Sequence, residues 1–234
     1  RPIFSNKMKL AALFSGGKDS TYAIFLAKKL GHSVDVLLTL YPYSDESHLL
    51  HYPNIKFTHL QSKSMKIPQL IEKMTSDNSE NEFKKLDNLV TLAKKNYSIE
   101  GIVHGGILSK YQKDNFSLIC EKNHLKIISP LWNKEPESYM KELLDEHFEY
   151  IISSVSSDGL NNSWLGRLID ENDLNNLKKL QKKYSFNLNF EGGEAETFII
   201  NCPLFEKPLL IQDSNTEWDG YRGRFEILEA KLKD

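Results

Sequence analysis

The sequence predicts an α/β protein: a doubly wound parallel sheet followed by a second, smaller mixed α/β domain. Three observations carry this. Short apolar runs alternate with helical patterns from Lys9 to about Leu131, the order that builds parallel strands with helices on both faces. The glycine-rich turn Ser15-Gly16-Gly17-Lys18-Asp19-Ser20 stands between the first apolar run and the first helical pattern. Near the end of the chain, strand patterns follow one another without helices between them.

The elements are read in order. Lys9 to Phe14 is an apolar run short enough for a fully buried strand. Thr21 to Leu30 places Tyr22, Phe25, Leu26 and Leu30 at helical spacing, with Gly31 as its stop. Val34 to Leu40 reads as a second buried strand ended by Tyr41-Pro42, and Ile55 to Leu60 as a third. Ile67 to Met74 reads as a short helix, and Glu82 to Asn96 as a longer one with Phe83, Leu86, Leu89, Val90 and Ala93 on one stripe. Gly101 to Gly106 is a fourth strand, Tyr111 to Asn123 a helix and Lys126 to Leu131 a fifth strand. In such sheets ligands bind beyond the carboxyl ends of the strands, where strand order reverses. The first loop, the segment after Tyr41 and Gly105-Gly106 belong to that edge.

From Glu135 the character changes. Pro136 opens a helix to about Phe148, Tyr150 to Val155 is a strand, and Glu171 to Tyr184 is a charged helix. Phe190 to Cys202, Leu209 to Gln212 and Arg224 to Leu232 read as strands, with Asp213-Ser214-Asn215 and Asp219-Gly220 as turn signals. The boundary is expected near Asn133, giving a nucleotide domain over residues 8–132 and a smaller domain over 133–234. Arg1 to Lys7 precede Met8, which reads as a natural start, and are set aside from the fold reading.

The 234 residues carry a formal net charge of −2, which argues against a general nucleic-acid binder. The two cysteines, Cys120 and Cys202, form neither a disulfide framework nor a metal-binding pair, and a reduced cytoplasmic setting fits them. No apolar run approaches membrane-spanning length.

The first loop has the chemistry of an anion site. Gly16 and Gly17 let the backbone turn sharply and approach a ligand. N–H groups at the helix start, with the helix dipole behind them, attract negative charge. Lys18 adds a point charge, and Ser15 and Ser20 add hydroxyls. Asp19 would repel a bare phosphate, so it suits a cation such as Mg²⁺ that is itself phosphate-bound. A Walker A loop needs four residues between its first Gly and Gly-Lys-Ser/Thr, and this is not one. The bland alternative is an ordinary strand-turn-helix corner.

A second dense stretch is Glu191-Gly192-Gly193-Glu194-Ala195-Glu196-Thr197. It is either an acidic hairpin tip in solvent or a carboxylate cluster that binds a cation or handles protons. In an extended segment Glu194 and Glu196 would share a face.

Ser-Gly-Gly-Lys-Asp-Ser resembles the pyrophosphate loop of ATP-pyrophosphatases, which cleave ATP between the α and β phosphates and form an adenylated intermediate. Together with the acidic stretch, nearly the whole chain resembles the diphthine–ammonia ligase family, which catalyses the last step of diphthamide synthesis. Glu46-Ser47 and His51-Tyr52-Pro53-Asn54 resemble its Glu-Ser…His-Thr-Pro-Asn segment. Gly105 to Gln112 with Cys120, and Pro130-Leu131-Trp132, resemble its middle segments. Gly159-Leu160 and Leu165-Gly166-Arg167 resemble a segment of its second domain. Glu191 to Thr197, followed by Cys202-Pro203-Leu204-Phe205, resembles Glu-Gly-Gly-Glu-aromatic-Glu-Thr…Pro-Leu-Phe. The acidic motif is far more specific than the loop, which many adenylating enzymes share. Tyr52, Ala195, Gly106, Asn115 and Ser117 depart from the family pattern. They leave the loop intact and bear on the substrate contacts around Tyr111 to Cys120.

The resemblance implies a Rossmann-like, adenine nucleotide alpha hydrolase-like first domain. It implies ATP and Mg²⁺, ammonium as nitrogen donor, and diphthine on translation elongation factor two as the protein substrate, with no membrane or direct nucleic-acid partner. Ser15, Gly16, Gly17, Lys18, Asp19, Ser20 and Gly105 would hold the nucleotide, with Asp19 on the metal. Lys18 would act on the departing pyrophosphate. Glu191, Glu194 and Glu196 would bind or deprotonate ammonium. His51, Asn54, Tyr111, Trp132, Gly192, Gly193 and Thr197 would meet the substrate. Tyr111, Trp132 and Trp164 either cage its quaternary ammonium or pack the core or an interface. Two rivals stay open at this point: another adenylating enzyme such as a tRNA-modifying ligase, and a non-catalytic adenine-nucleotide binder.

Overall fold

A computed structural model describes residues 6–43, 54–106 and 110–234, the side chains of residues 110–112 excepted. The residues divide into two compact units. One gathers residues 6–15, 19–43 and 66–132; the other gathers residues 16–18, 54–65 and 133–234. The middle of the glycine-rich loop therefore groups with the C-terminal part of the chain.

The first unit is built on β1 (Lys9–Leu13), β2 (Ser33–Tyr41), β3 (Gln69–Lys73), β4 (Gly101–Val103) and β5 (Lys126–Ile128). These form one parallel sheet in the order β3-β2-β1-β4-β5. Strand order reverses between β1 and β4, so the loop after β1 and the exit of β4 share the carboxyl edge where such sheets take ligands. Helices α1 (Lys18–Lys29), α3 (Ser79–Tyr97) and α4 (Lys110–Lys122) make the crossovers, and α2 (Thr58–Met65) belongs to the other unit. Ala11, Val36, Leu38 and Ile102 of the strands pack with Leu89, Val90, Ala93, Phe116, Ile119 and Cys120 of α3 and α4 in a core with no solvent access. Alternate residues of a strand face one side, and the stripe read from Phe83 to Ala93 meets them there.

Two elements exchange character relative to the sequence reading. Ile55–Phe57 is a 3-10 turn leading into α2, where a strand was expected. The Thr58 hydroxyl donates to Ile55 O at 2.6 Å, a local bond that favours the turn over an extended chain. The inward residues of α2 include Thr58, Gln61, Ser62 and Ser64, so no apolar periodicity marks it as a helix. Conversely, Ile67–Met74 holds β3 and not a helix. Pro68 lacks an N–H but offers its carbonyl to Leu37 N at 2.8 Å, and so serves as the lead-in of an edge strand.

The second unit carries an antiparallel sheet in the order β7-β6-β9-β8, formed by β6 (Glu149–Ser156), β7 (Ala195–Asn201), β8 (Leu209–Trp218) and β9 (Arg222–Leu232). Helices α5 (Pro136–Asp145) and α6 (Glu171–Tyr184) accompany it. Both start as their sequences direct. Glu135 caps α5 ahead of Pro136, and Asp170 with Asp173 closes a capping box on α6. Asp213-Ser214-Asn215 does not turn the chain. It lies within β8, where the pairing with β9 shifts register at Asp213. An exposed edge strand tolerates such a bulge, and the reversal falls instead at Asp219-Gly220. The strand expected from Phe190 begins at Ala195, because Phe190 and Gly193 take φ of +63° and +83° and hold Glu191–Glu194 in a turn.

Candidate active site

β7 is an edge strand, and an edge strand presents unpaired N–H and C=O groups. Here the glycine-rich loop meets them. Ile199 N–H donates to Gly16 O at 2.9 Å, and Lys18 N–H, at the start of α1, donates to Thr197 Oγ1 at 3.0 Å. Gln61 of α2 donates from Nε2 to both Gly16 O (3.0 Å) and Ile199 O (2.8 Å). Gly16 has φ +84°, and a Cβ there would lie 2.6 Å from Gln61 Oε1. Only glycine fits this corner.

Lys18 is 2% exposed. Its ammonium donates to Asn189 O at 2.7 Å and lies 5.4 Å and 5.8 Å from the ring centres of Tyr139 and Phe190. Such cation–π contacts help hold a desolvated charge. Ser20 Oγ accepts from Ser15 N–H at 3.3 Å, closing the loop on itself. Gly105, at the exit of β4, lies against the start of α1: a Cβ there would sit 2.0 Å from Asp19 O.

The acidic segment precedes β7. Glu194 is 8% exposed, and its Oε2 accepts from Asn187 N–H at 2.5 Å. Its Oε1 is buried with no hydrogen-bond partner among the described residues. A Cβ on Gly192 would lie 2.8 Å from that oxygen, so glycine lets the carboxylate rest against the main chain. Glu191 is exposed and exchanges 3.3 Å bonds with Asn189, whose carbonyl holds Lys18. Glu196 is half-buried within β7. A buried carboxylate with one oxygen unpartnered is chemically a proton acceptor or a cation ligand.

The other expected site residues are described each within its own unit. Asn54 is buried and spends both ends of its amide on β9, donating to Phe225 O at 3.1 Å and accepting from Ile227 N–H at 2.8 Å. Its observed role is to hold the turn before α2. Trp164 is buried with the Arg167 guanidinium 5.6 Å over its ring, whereas Trp132 is 69% exposed with Lys113 Nζ at 4.9 Å. His51 and the side chain of Tyr111 lie outside the described residues. No group of three or more His, Cys, Asp or Glu that could hold a metal occurs among the described residues.

Sequence reading did not single out Gln61 or Asn189, which hold the loop, nor the pair His104 and Ser129, whose Nε2 and Oγ are 2.6 Å apart. None belongs to a motif with fixed spacing. Burial, countered by the Gly106 carbonyl and aided by Lys113, keeps His104 below the ordinary imidazole range. Burial pushes the thiols of both Cys120 and Cys202 up to about 12. Neither is equipped as a nucleophile. At pH 8 both should resist alkylation by iodoacetamide until the protein is denatured; mass spectrometry reads this directly, and rapid native labelling would contradict it.

Residues 8–127 match the model of the diphthamide synthase N-terminal domain, and residues 135–232 that of the diphthamide synthase C-terminal domain. The chain belongs to the diphthine–ammonia ligase family. It is 32% identical over 225 residues to the diphthine–ammonia ligase of Bos taurus and 31% identical over 229 residues to that of Homo sapiens. Each alignment covers 88% of this chain and 84% of the relative. The Schizosaccharomyces pombe diphthine–ammonia ligase is 29% identical over 221 residues, which are 88% of this chain but 36% of that relative. A U34-tRNA thiolase structure from Methanococcus maripaludis aligns with a TM-score of 0.31 at 13% identity, over 63% of this chain and 69% of that one, too slight a likeness to carry an argument. As a diphthine–ammonia ligase family member the chain is an enzyme, a ligase of diphthamide biosynthesis. No helix among the described residues is long and apolar enough to cross a membrane.

Proposed function

We propose that this protein amidates diphthine on translation elongation factor two, in the cytoplasm, using ATP and ammonium. A carboxylate does not accept ammonia directly, because its leaving group would be oxide. Attack of the diphthine carboxylate on the α-phosphorus of ATP breaks the α–β anhydride bond, releases pyrophosphate and leaves an acyl-adenylate. Ammonia then adds to the acyl carbon, AMP departs and an amide remains. Lys18 and the loop N–H groups stabilise charge gathering on the departing pyrophosphate. Mg²⁺, held by Asp19 and the phosphates, would supply further charge neutralisation there.

One observation carries the reading. The loop and the strand that continues the acidic segment are hydrogen-bonded neighbours, through Ile199 N–H to Gly16 O and Lys18 N–H to Thr197 Oγ1. A non-catalytic nucleotide binder has no need of Glu194, whose buried carboxylate keeps one oxygen unpartnered close to that strand. Ammonium has no lone pair with which to attack, and in this reading Glu194 takes its proton.

The test mixes the protein with ATP, ammonium and diphthine-bearing elongation factor two, and follows pyrophosphate and amide formation. Product with the factor and none with tRNA in its place is the expected result; the reverse refutes the substrate. Glu194→Gln should slow amide formation by ~10²-fold or more, with a raised ammonium requirement. An unchanged ammonium titration would remove Glu194 from that role.

A further inference from the structure

The geometry points to Phe190 as a positioning residue for Lys18, one whose left-handed backbone brings a carbonyl and a ring face together on the ammonium that acts on the departing pyrophosphate. This rests on the role proposed for Lys18 above and adds to it a residue outside both glycine motifs.

Phe190 takes φ +63°. Lys66, Ser98, His124, His147 and Ser185 also have positive φ, and each stands at or just past the end of a helix, where a left-handed residue closes the last turn. Phe190 stands instead in the turn between α6 and β7, with its ring buried. A bulky residue in this region is strained, and persists where its surroundings fix it. The Asn189 carbonyl and the Phe190 N–H share one trans peptide plane and point opposite ways. The carbonyl accepts from Lys18 Nζ at 2.7 Å, and the N–H donates to Asn187 O at 2.9 Å. With that plane fixed, φ decides where the Phe190 Cβ goes. At +63° the ring centre lies 5.8 Å from the same ammonium. At an ordinary negative φ the Cβ would swing about the N–Cα bond and carry the ring off the cation.

Filling space does not account for this residue. Glycine would adopt the turn without strain, and an aliphatic side chain would occupy the volume. Lys18 supplies the reason for a ring. It is 2% exposed, and a desolvated ammonium is costly unless its charge is met. The ring faces of Phe190 and of Tyr139, the latter centred 5.4 Å away, attract that charge without drawing on N–H donors. Such a hold fixes the ammonium in place while its hydrogen bonds stay open to exchange with phosphate oxygens.

The experiment compares wild-type protein with Phe190→Leu, Phe190→Gly and proteins carrying mono-, di- or trifluorophenylalanine in place of Phe190. Fluorine draws charge from the ring face and leaves backbone and shape nearly unchanged, so the series decides the matter should Phe190→Leu fail to fold. Phe190→Gly keeps the left-handed turn and removes the ring. Four quantities are read: pyrophosphate release with ATP, ammonium and the modified factor; the ammonium titration; reductive methylation of Lys18 in nucleotide-free protein; and thermal melting. The kcat for pyrophosphate release should fall stepwise along the fluorine series, by about tenfold in all, the scale of a desolvated cation–π contact. It should fall at least as far in Phe190→Leu and Phe190→Gly, with faster methylation of Lys18 in both. The ammonium requirement should not change along the fluorine series. A merely structural role would lower the melting point and shift the ammonium titration through the neighbouring acidic turn, with no dependence on fluorine content. Folded variants whose rates ignore the fluorine series, or in which Lys18 is methylated no faster than in wild type, overturn the inference alone. Wild-type protein that releases no pyrophosphate refutes the ligase reading, and the inference with it.

Discussion

Lys18→Ala is expected to lower pyrophosphate release by ~10²–10³-fold, the cost of removing one preorganised donor from developing charge. The Lys18 side chain is almost wholly buried, and its ammonium is already desolvated against Asn189 O, Tyr139 and Phe190. A charge held out of water acts on a phosphate with far less screening than a surface lysine does. Its tether is also exchangeable: a backbone carbonyl is a weaker partner for an ammonium than a polyphosphate is. Lys18→Met keeps most of the apolar stem and separates loss of charge from loss of packing. Both variants should fold, and both should fail in an assay of pyrophosphate release with ATP, ammonium and the modified factor. Turnover near the wild-type rate in either would show that the loop is not the pyrophosphate site. Lys18→Arg should not restore activity, because a planar fork does not fit where a compact ammonium sits between two rings.

Gly105→Ala is expected to be nearly as damaging, by a steric route. The added methyl would lie 2.0 Å from Asp19 O and 2.9 Å from Ser20 N, both main-chain atoms that cannot rotate away. Either the exit of β4 or the first turn of α1 must move. Overpacking of this kind typically costs 1–3 kcal/mol, and a displacement of about 1 Å at a reacting centre costs on the order of 10²-fold in rate. Gly106→Ala is the internal control, since a Cβ there meets nothing within 4 Å. The expected pattern is a lowered melting point and strongly reduced ATP turnover for Gly105→Ala, with Gly106→Ala close to wild type. Equal behaviour of the two variants would mean that β4 and the loop are not in contact in the working enzyme.

The parallel sheet was legible because its central strands are buried on both faces. Leu10-Ala11-Ala12 and Val36-Leu37-Leu38 read as continuous apolar runs, and both lie inside the sheet. The long amphipathic helix α3 was equally plain from its stripe. Legibility failed where polar residues face inward or where apolar residues sit at an edge. In α2 the buried side chains Thr58, Gln61, Ser62 and Ser64 hide the helix, and in β3 the half-exposed Leu70 and Ile71 imitate one.

The residues of the sequence by themselves determined the chemistry on offer: two glycines, a lysine, an aspartate and two hydroxyls at a strand-to-helix corner, and a glutamate-rich glycine pair before a strand. They do so because backbone conformation and ligand preference are local properties of residue type and spacing. Tertiary structure alone decided which groups hold that corner in shape. Gln61, Asn189, Thr197 and Ile199 lie from 45 to 183 residues away from the loop residues they bind. Their contacts arise because an edge strand must satisfy its outward N–H and C=O groups, and no local pattern records which distant segment will do so.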